Sequence, residues 1–147
     1  MVRYELEREK FPARNLVLEL TESYFASNRA VVRKIFQEMR NQNIRIAMDD
    51  FDTGYSTLGL LKENPADIVK IDRAFVRDIR NSNFDATFIR FIVALCGNVG
   101  IQVCLEGVET EEEYKMVSQM GLDMIQGFLF SRPLQEEAFT EKYFCTC

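Results

Sequence analysis

The chain has 147 residues, 47% of them hydrophobic, a formal net charge of −5 and no histidine. That length supports one buried core but not the eight strand–helix units of a complete β/α barrel, which take about 250 residues. The acidic balance argues against a groove for polymeric nucleic acid, the missing histidine against zinc and histidine catalysis, and the lack of a long apolar run against a membrane segment.

Residues 1–14 read as the end of a helix and a loop, the helix over 2–10 stopping near Pro12. The opening MVRYELEREKF has no apolar signal core, so a reducing cytoplasm is the expected setting. Leu16 to Leu20 is a short, mostly apolar run, expected to be a strand buried on both faces of a parallel sheet. Ser27 can cap a following helix in which Val31, Val32, Ile35, Phe36 and Met39 recur at helical spacing, and Asn43 ends it.

Ile44 to Met48 reads as a second strand, followed by a polar loop from Asp49 to Thr57 and an apolar stretch from Leu58 to Leu61. Ile68 to Ile71 gives a third strand, after which Phe88, Ile89, Ile92 and Leu95 mark a helix face that Gly100 closes. Ile101 to Leu105 is the fourth strand. Thr110 and Glu113 then have the spacing of a capping box, and Met124 to Phe130 reads as the fifth strand. Cys96, Cys104, Cys145 and Cys147 have neither the paired spacing of a zinc site nor the density of a disulfide scaffold.

Each strand ends on chemistry: Glu19, the pair Asp49 and Asp50, Lys70, Glu106 and Gln126. Strand ends of one polarity form one rim in a β/α barrel, so groups far apart in sequence converge there. Carboxylates and an amide are oxygen donors, which suit Mg²⁺ or Mn²⁺. Two adjacent acids repel unless a proton or a cation lies between them. Taken alone, a double aspartate also reads as an acidic turn, and a lysine at a strand tip as one that snorkels to water.

The blocks LVLELTES (16–23), IAMDDFDTGYSTL (46–58), VKIDRAFV (69–76), LEGVET (105–110) and QGFLFSRPL (126–134) resemble the EAL-domain cyclic di-GMP phosphodiesterases in order and spacing. The resemblance implies a partial TIM-type (β/α) barrel of about five successive βα units within a single partial domain over 1–147. It implies metal binding by Glu19, Asp49, Asp50 and Glu106, with Asp49 shared by two ions, and hydrolysis of cyclic di-GMP to pGpG assisted by Lys70, Glu106 and Gln126. Lys70 is open between a base and an electrostatic positioning group. Asp72 is expected to orient its neighbours.

Glu22, Asp52, Thr53, Gly54, Tyr55, Ser56 and Glu109 correspond to a loop, and its supports, that couples metal binding to dimer contacts. Asp52 stands where the family usually has glycine, a costlier residue if that position needs a positive φ. The Glu-Ala-Leu segment, with its metal-binding glutamate, and a metal-binding asparagine on the next strand belong to an earlier part of the family's domain and are not in this sequence. The chain is therefore expected to supply the later part of a barrel. Competing expectations are a cyclic di-GMP receptor without turnover and a self-associating remnant with exposed sheet edges.

Overall fold

The computed structural model describes residues 2–21, 24, 29–51, 57–63 and 65–144. Strands β1 (Val17–Thr21), β2 (Arg45–Phe51), β3 (Ile68–Ile71), β4 (Gln102–Leu105) and β5 (Met124–Ile125) form one parallel sheet in sequence order. Helix α1 (Val2–Arg8) precedes the sheet, and α2 (Arg29–Asn41), α3 (Thr57–Glu63), the short α4 (Ala74–Arg77), α5 (Asn83–Val99) and α6 (Glu111–Val117) lie between strands. Helix α7 (Glu136–Phe144) follows β5. Among the described residues β1 and β5 each pair on one side only, so the sheet is an open arc of a partial α/β barrel.

Alternation along each strand divides the side chains between two faces. Ile46, Met48, Val69, Ile71, Val103 and Leu105 point outward and pack with Val32 and Phe36 of α2, Ile89, Ile92 and Cys96 of α5, and Val117 of α6. Fully burying side chains of this size contributes about 1.5–3 kcal/mol each. The opposite, interior face is a thinner apolar layer of Ala47, Ile68 and Cys104, flanked by Val17 and Met124.

The helix signals in the sequence act as local chemistry requires. Gly100 adopts φ 74° and its N–H closes α5 onto Cys96 and Gly97, while Asn43 turns the chain at φ 57°. Thr110 and Glu113 form the reciprocal capping box at the start of α6. At the opposite end of the sheet from the strand tips, Asp67 accepts the Ile46 N–H at 2.8 Å and Asp123 accepts the Val103 N–H at 2.8 Å. These two aspartates, each just before a strand, tie the stability face of the arc.

Three expectations need correction. β1 is not buried on both faces: its residues are half-buried or exposed, because it is an edge strand. The fifth strand stops at Ile125 rather than Phe130. There Gly127 passes so close to the Val108 backbone that a Cβ would lie 1.9 Å from its carbonyl oxygen, and Phe130 N–H turns back to Gly127. The expected polar loop from Asp49 to Thr57 is shorter at both ends, because Asp49, Asp50 and Phe51 belong to β2 and Thr57 opens α3.

Candidate active site

The interior layer predicts where the chemistry stands. Two residues beyond Val17, Ala47, Ile68, Cys104 and Met124 come Glu19, Asp49, Lys70, Glu106 and Gln126. A step of two keeps a strand on the same face, so each polar group sits one layer above an apolar one, at the strand exit.

Lys70 is the centre of this layer. Its side chain is 8% exposed, and its Nζ lies 2.7 Å from Glu106 Oε1, 2.8 Å from Glu19 Oε2 and 3.1 Å from Asp49 Oδ1. Burial pushes the lysine toward its neutral form, but attraction to Glu106, Glu19 and Asp49 outweighs it and raises the pKa above its ordinary value. The ammonium therefore keeps its proton throughout the neutral range. Three carboxylates from β1, β2 and the β4 exit are held on one cation.

The bulge in β2 follows Asp49 and returns Phe51 to the outer core. Met48 pairs with Val69 but Phe51 pairs with Ile71, so β2 carries one more residue than β3 across that interval. Asp50 absorbs the insertion at φ 57°, a left-handed conformation that aspartate adopts more readily than bulkier residues. Asp49 faces inward, whereas Asp50 is exposed and makes no ion pair with Lys70.

Beyond the cluster, a cleft of about 240 Å³ is lined by Asp72, Arg73, Glu106, Glu109, Gln126 and Phe128, among others. Gln126 is fixed from both sides, its N–H on Leu105 O at 2.9 Å and its carbonyl accepting from Val108 N at 3.1 Å. The Glu106 N–H donates to Ile71 O at 3.1 Å. Asp72 accepts the Ala74 N–H at 2.8 Å in the turn that leads into α4, while the Glu109 N–H donates to Glu113. Glu22, Asp52, Thr53, Gly54, Tyr55 and Ser56, the expected loop and its glutamate support, lie outside the described residues, as does Ser27.

The donor set can be tested against a divalent ion. All its donors are oxygens, the cluster of Glu19, Asp49, Glu106 and Lys70 carries an excess of negative charge, and Asp49 Oδ1 is buried without an aligned hydrogen bond. That chemistry suits a hard cation. As they stand, the carboxylates are set around the ammonium. Among the described residues no three acidic or thiol side chains already form an ion cage.

Sequence reasoning passed over Gly107, Gly127 and Arg73. A Cβ on Gly107, at φ 76°, would meet the Arg73 Cβ at 2.2 Å. The signal for the glycines was present in Glu106-Gly107 and Gln126-Gly127, where a functional side chain is followed each time by the one residue that allows close backbone approach.

Known proteins resemble this chain in sequence and in fold. The EAL domain family profile matches residues 1–133, and the chain belongs to the EAL-domain family. It is 36% identical over 136 residues to the bifunctional diguanylate cyclase/cyclic di-GMP phosphodiesterase MucR of Pseudomonas aeruginosa, covering 92% of this chain and 20% of that protein. The fold superimposes on the MucR phosphodiesterase in complex with c-di-GMP with a TM-score of 0.84 at 36% identity, covering 94% of this chain and 56% of that one. It also superimposes on Klebsiella pneumoniae BlrP1 in its manganese and cyclic di-GMP complex, with a TM-score of 0.85 at 35% identity over 90% of this chain and 34% of that one. The chain spans about a fifth of the length of the curated relatives it matches.

Proposed function

We propose that this chain forms part of the site of a cyclic di-GMP phosphodiesterase that opens the cyclic dinucleotide to pGpG, with Glu19, Asp49, Asp50 and Glu106 holding Mg²⁺ or Mn²⁺. The observation that carries the reading is the placement of Glu19, Asp49, Lys70, Glu106 and Gln126 on one interior layer at five successive strand exits. The negative excess of the cluster supports the metal, since a phosphodiester would otherwise be repelled. Bound there, divalent cations would supply Lewis acidity toward a phosphoryl oxygen and an attacking water.

The chain's own groups do the rest. Lys70, as an ammonium, gathers the carboxylates and presents positive charge at the floor of the site; it would act as a base only after that negative charge is neutralised. Gln126 offers its amide from a backbone hydrogen-bonded on both sides, and Asp72 fixes the turn that leaves β3. Asp50, exposed beside Asp49, would hold a metal only after turning inward. Buried, unpaired Cys96 and Cys104 support a reducing cytoplasmic setting, and the open edges at β1 and β5 support self-association.

Any pGpG formed on incubation with cyclic di-GMP and Mn²⁺ is expected to be abolished by Glu19→Ala, whereas the chain alone, which supplies only part of the site, is expected to turn over little or not at all. A second reading, a receptor without turnover, is favoured by the hold of three carboxylates on Lys70. Calorimetry with Ca²⁺, the ion of another BlrP1 complex with the dinucleotide, selects it if binding appears without pGpG. Neither turnover nor binding would refute both.

A further inference from the structure

The cleft beside the carboxylate cluster has acidic lining from Asp72, Glu106 and Glu109 and one cationic side chain, Arg73. Arg73 makes no ion pair among the described residues, although three carboxylates share its cleft. Other exposed arginines, such as Arg14, Arg77 and Arg90, are also unpaired among the described residues, but Arg73 is the one that lines this cleft.

The Arg73 backbone is set firmly. Its carbonyl accepts from Val76 N at 3.0 Å as α4 begins, the preceding Asp72 accepts the Ala74 N–H across it, and the following Phe75 and Val76 are buried in the core. On its other side the Arg73 Cβ fills the space a Gly107 side chain would need, 2.2 Å from an ideal Cβ there. The glycine after Glu106 thus seats the arginine against the exit of β4. A guanidinium with a fixed root and an unengaged fork is suited to bidentate phosphate pairing.

We propose that Arg73 is a positioning residue that pairs with a phosphate oxygen of the dinucleotide lying outside the carboxylate cluster. This rests on the cyclic di-GMP reading above and adds the residue that orients the ligand. Arg73 touches none of the expected metal-holding oxygens, so it sets affinity for the nucleotide and not for the ion.

Calorimetry of the full chain with cyclic di-GMP and Ca²⁺ tests it, with Arg73→Ala, Arg73→Lys and Arg73→Gln, and with Mn²⁺ alone as a control. Arg73→Ala and Arg73→Gln are expected to weaken nucleotide binding about tenfold, with Arg73→Lys intermediate, as for loss of a charge-assisted phosphate contact. The wild-type affinity should also fall more steeply with salt than that of Arg73→Ala, which a purely structural role would not produce. Mn²⁺ binding should be unchanged. Wild-type binding that survives Arg73→Ala unaltered, or an equal loss of Mn²⁺ binding, overturns the assignment while leaving the phosphodiesterase reading intact. Absence of nucleotide binding by the wild-type chain sinks that reading, and this one with it.

Discussion

Replacing Lys70 with methionine removes the cation from the interior layer while nearly keeping its length. Two carboxylate oxygens that lie 2.7–3.1 Å from one nitrogen are within about 6 Å of each other, so three like charges would be left facing one another. At an effective dielectric of about 20, each pair at about 5 Å repels by roughly 3 kcal/mol, in total comparable to the whole stability of a small domain. The groups would respond. Glu19, with half its side chain exposed, can swing to water, and the others can take up a proton. Breaking a buried charge set typically costs about 3–5 kcal/mol, and discounting for the exposure of Glu19 leaves about 2–4 kcal/mol for Lys70→Met at pH 8. Urea unfolding measures it. In the wild type the lysine's pKa is raised by folding, so its stabilisation is fully present below the ordinary value of 10.5 and is lost only above it, giving no change between pH 6 and 9 from this group. In the variant the deficit should shrink toward about pH 4, where carboxylates take protons, and, on the metal reading proposed above, should be recovered at pH 8 by millimolar Mn²⁺. A loss below about 0.5 kcal/mol at pH 8, or one that grows on acidification, would refute the claim that the ammonium is what makes the layer stable.

Gly127→Ala should be among the most destabilising single-methyl additions in this chain, by about 3 kcal/mol or more, because its Cβ would stand 1.9 Å from Val108 O and 2.5 Å from Val108 N, both backbone atoms. Chemical denaturation checks this, and a cost under about 1 kcal/mol would mean that the β4 and β5 exits are not locked together as described. The Cys96 thiol is pushed up to about 11, first by burial and then by the charge of Asp123. Folding thus favours its protonated form, a stabilisation complete below the ordinary value of 9.0 and lost as pH rises through about 11. At pH 8 its alkylation by iodoacetamide, read by peptide mass, should be at least about 100-fold slower than in urea, and a denatured-like rate in the native protein would contradict the assigned burial.

Sequence order made the strand exits legible because a parallel β/α unit announces itself twice, by an apolar run and by the polar residue that ends it. It also made the helix stops legible where one residue does the work, as at Gly100 and in the Thr110–Glu113 box. What it could not show were events that depend on two segments at once. The bulge that separates Asp49 from Asp50 exists only in the pairing of β2 with β3. The early end of β5 follows from the approach of Gly127 to Val108, in another loop, and a run such as MIQGFLF carries no trace of that. β1 failed to read as an edge for the same reason: burial on a second face depends on a neighbour, not on its own residues.

The interior layer explains why the site was readable at all. Ala47, Ile68 and Cys104 fill the inside of the arc, and the next inward position on each strand is the first to reach the rim. An apolar residue there would extend the core. Instead Glu19, Asp49, Lys70 and Glu106 place four charges on the same face as a buried apolar layer, and the ammonium offsets only part of what the carboxylates bring. Charged groups at such a position are tolerated when paired and costly otherwise. Packing alone gives no reason for a layer in which three carboxylates share one ammonium, Asp49 Oδ1 being the most distant of the three at 3.1 Å. If a divalent cation binds these carboxylates as proposed, its binding is expected to raise the stability of the arc, which urea unfolding with and without Mn²⁺ measures.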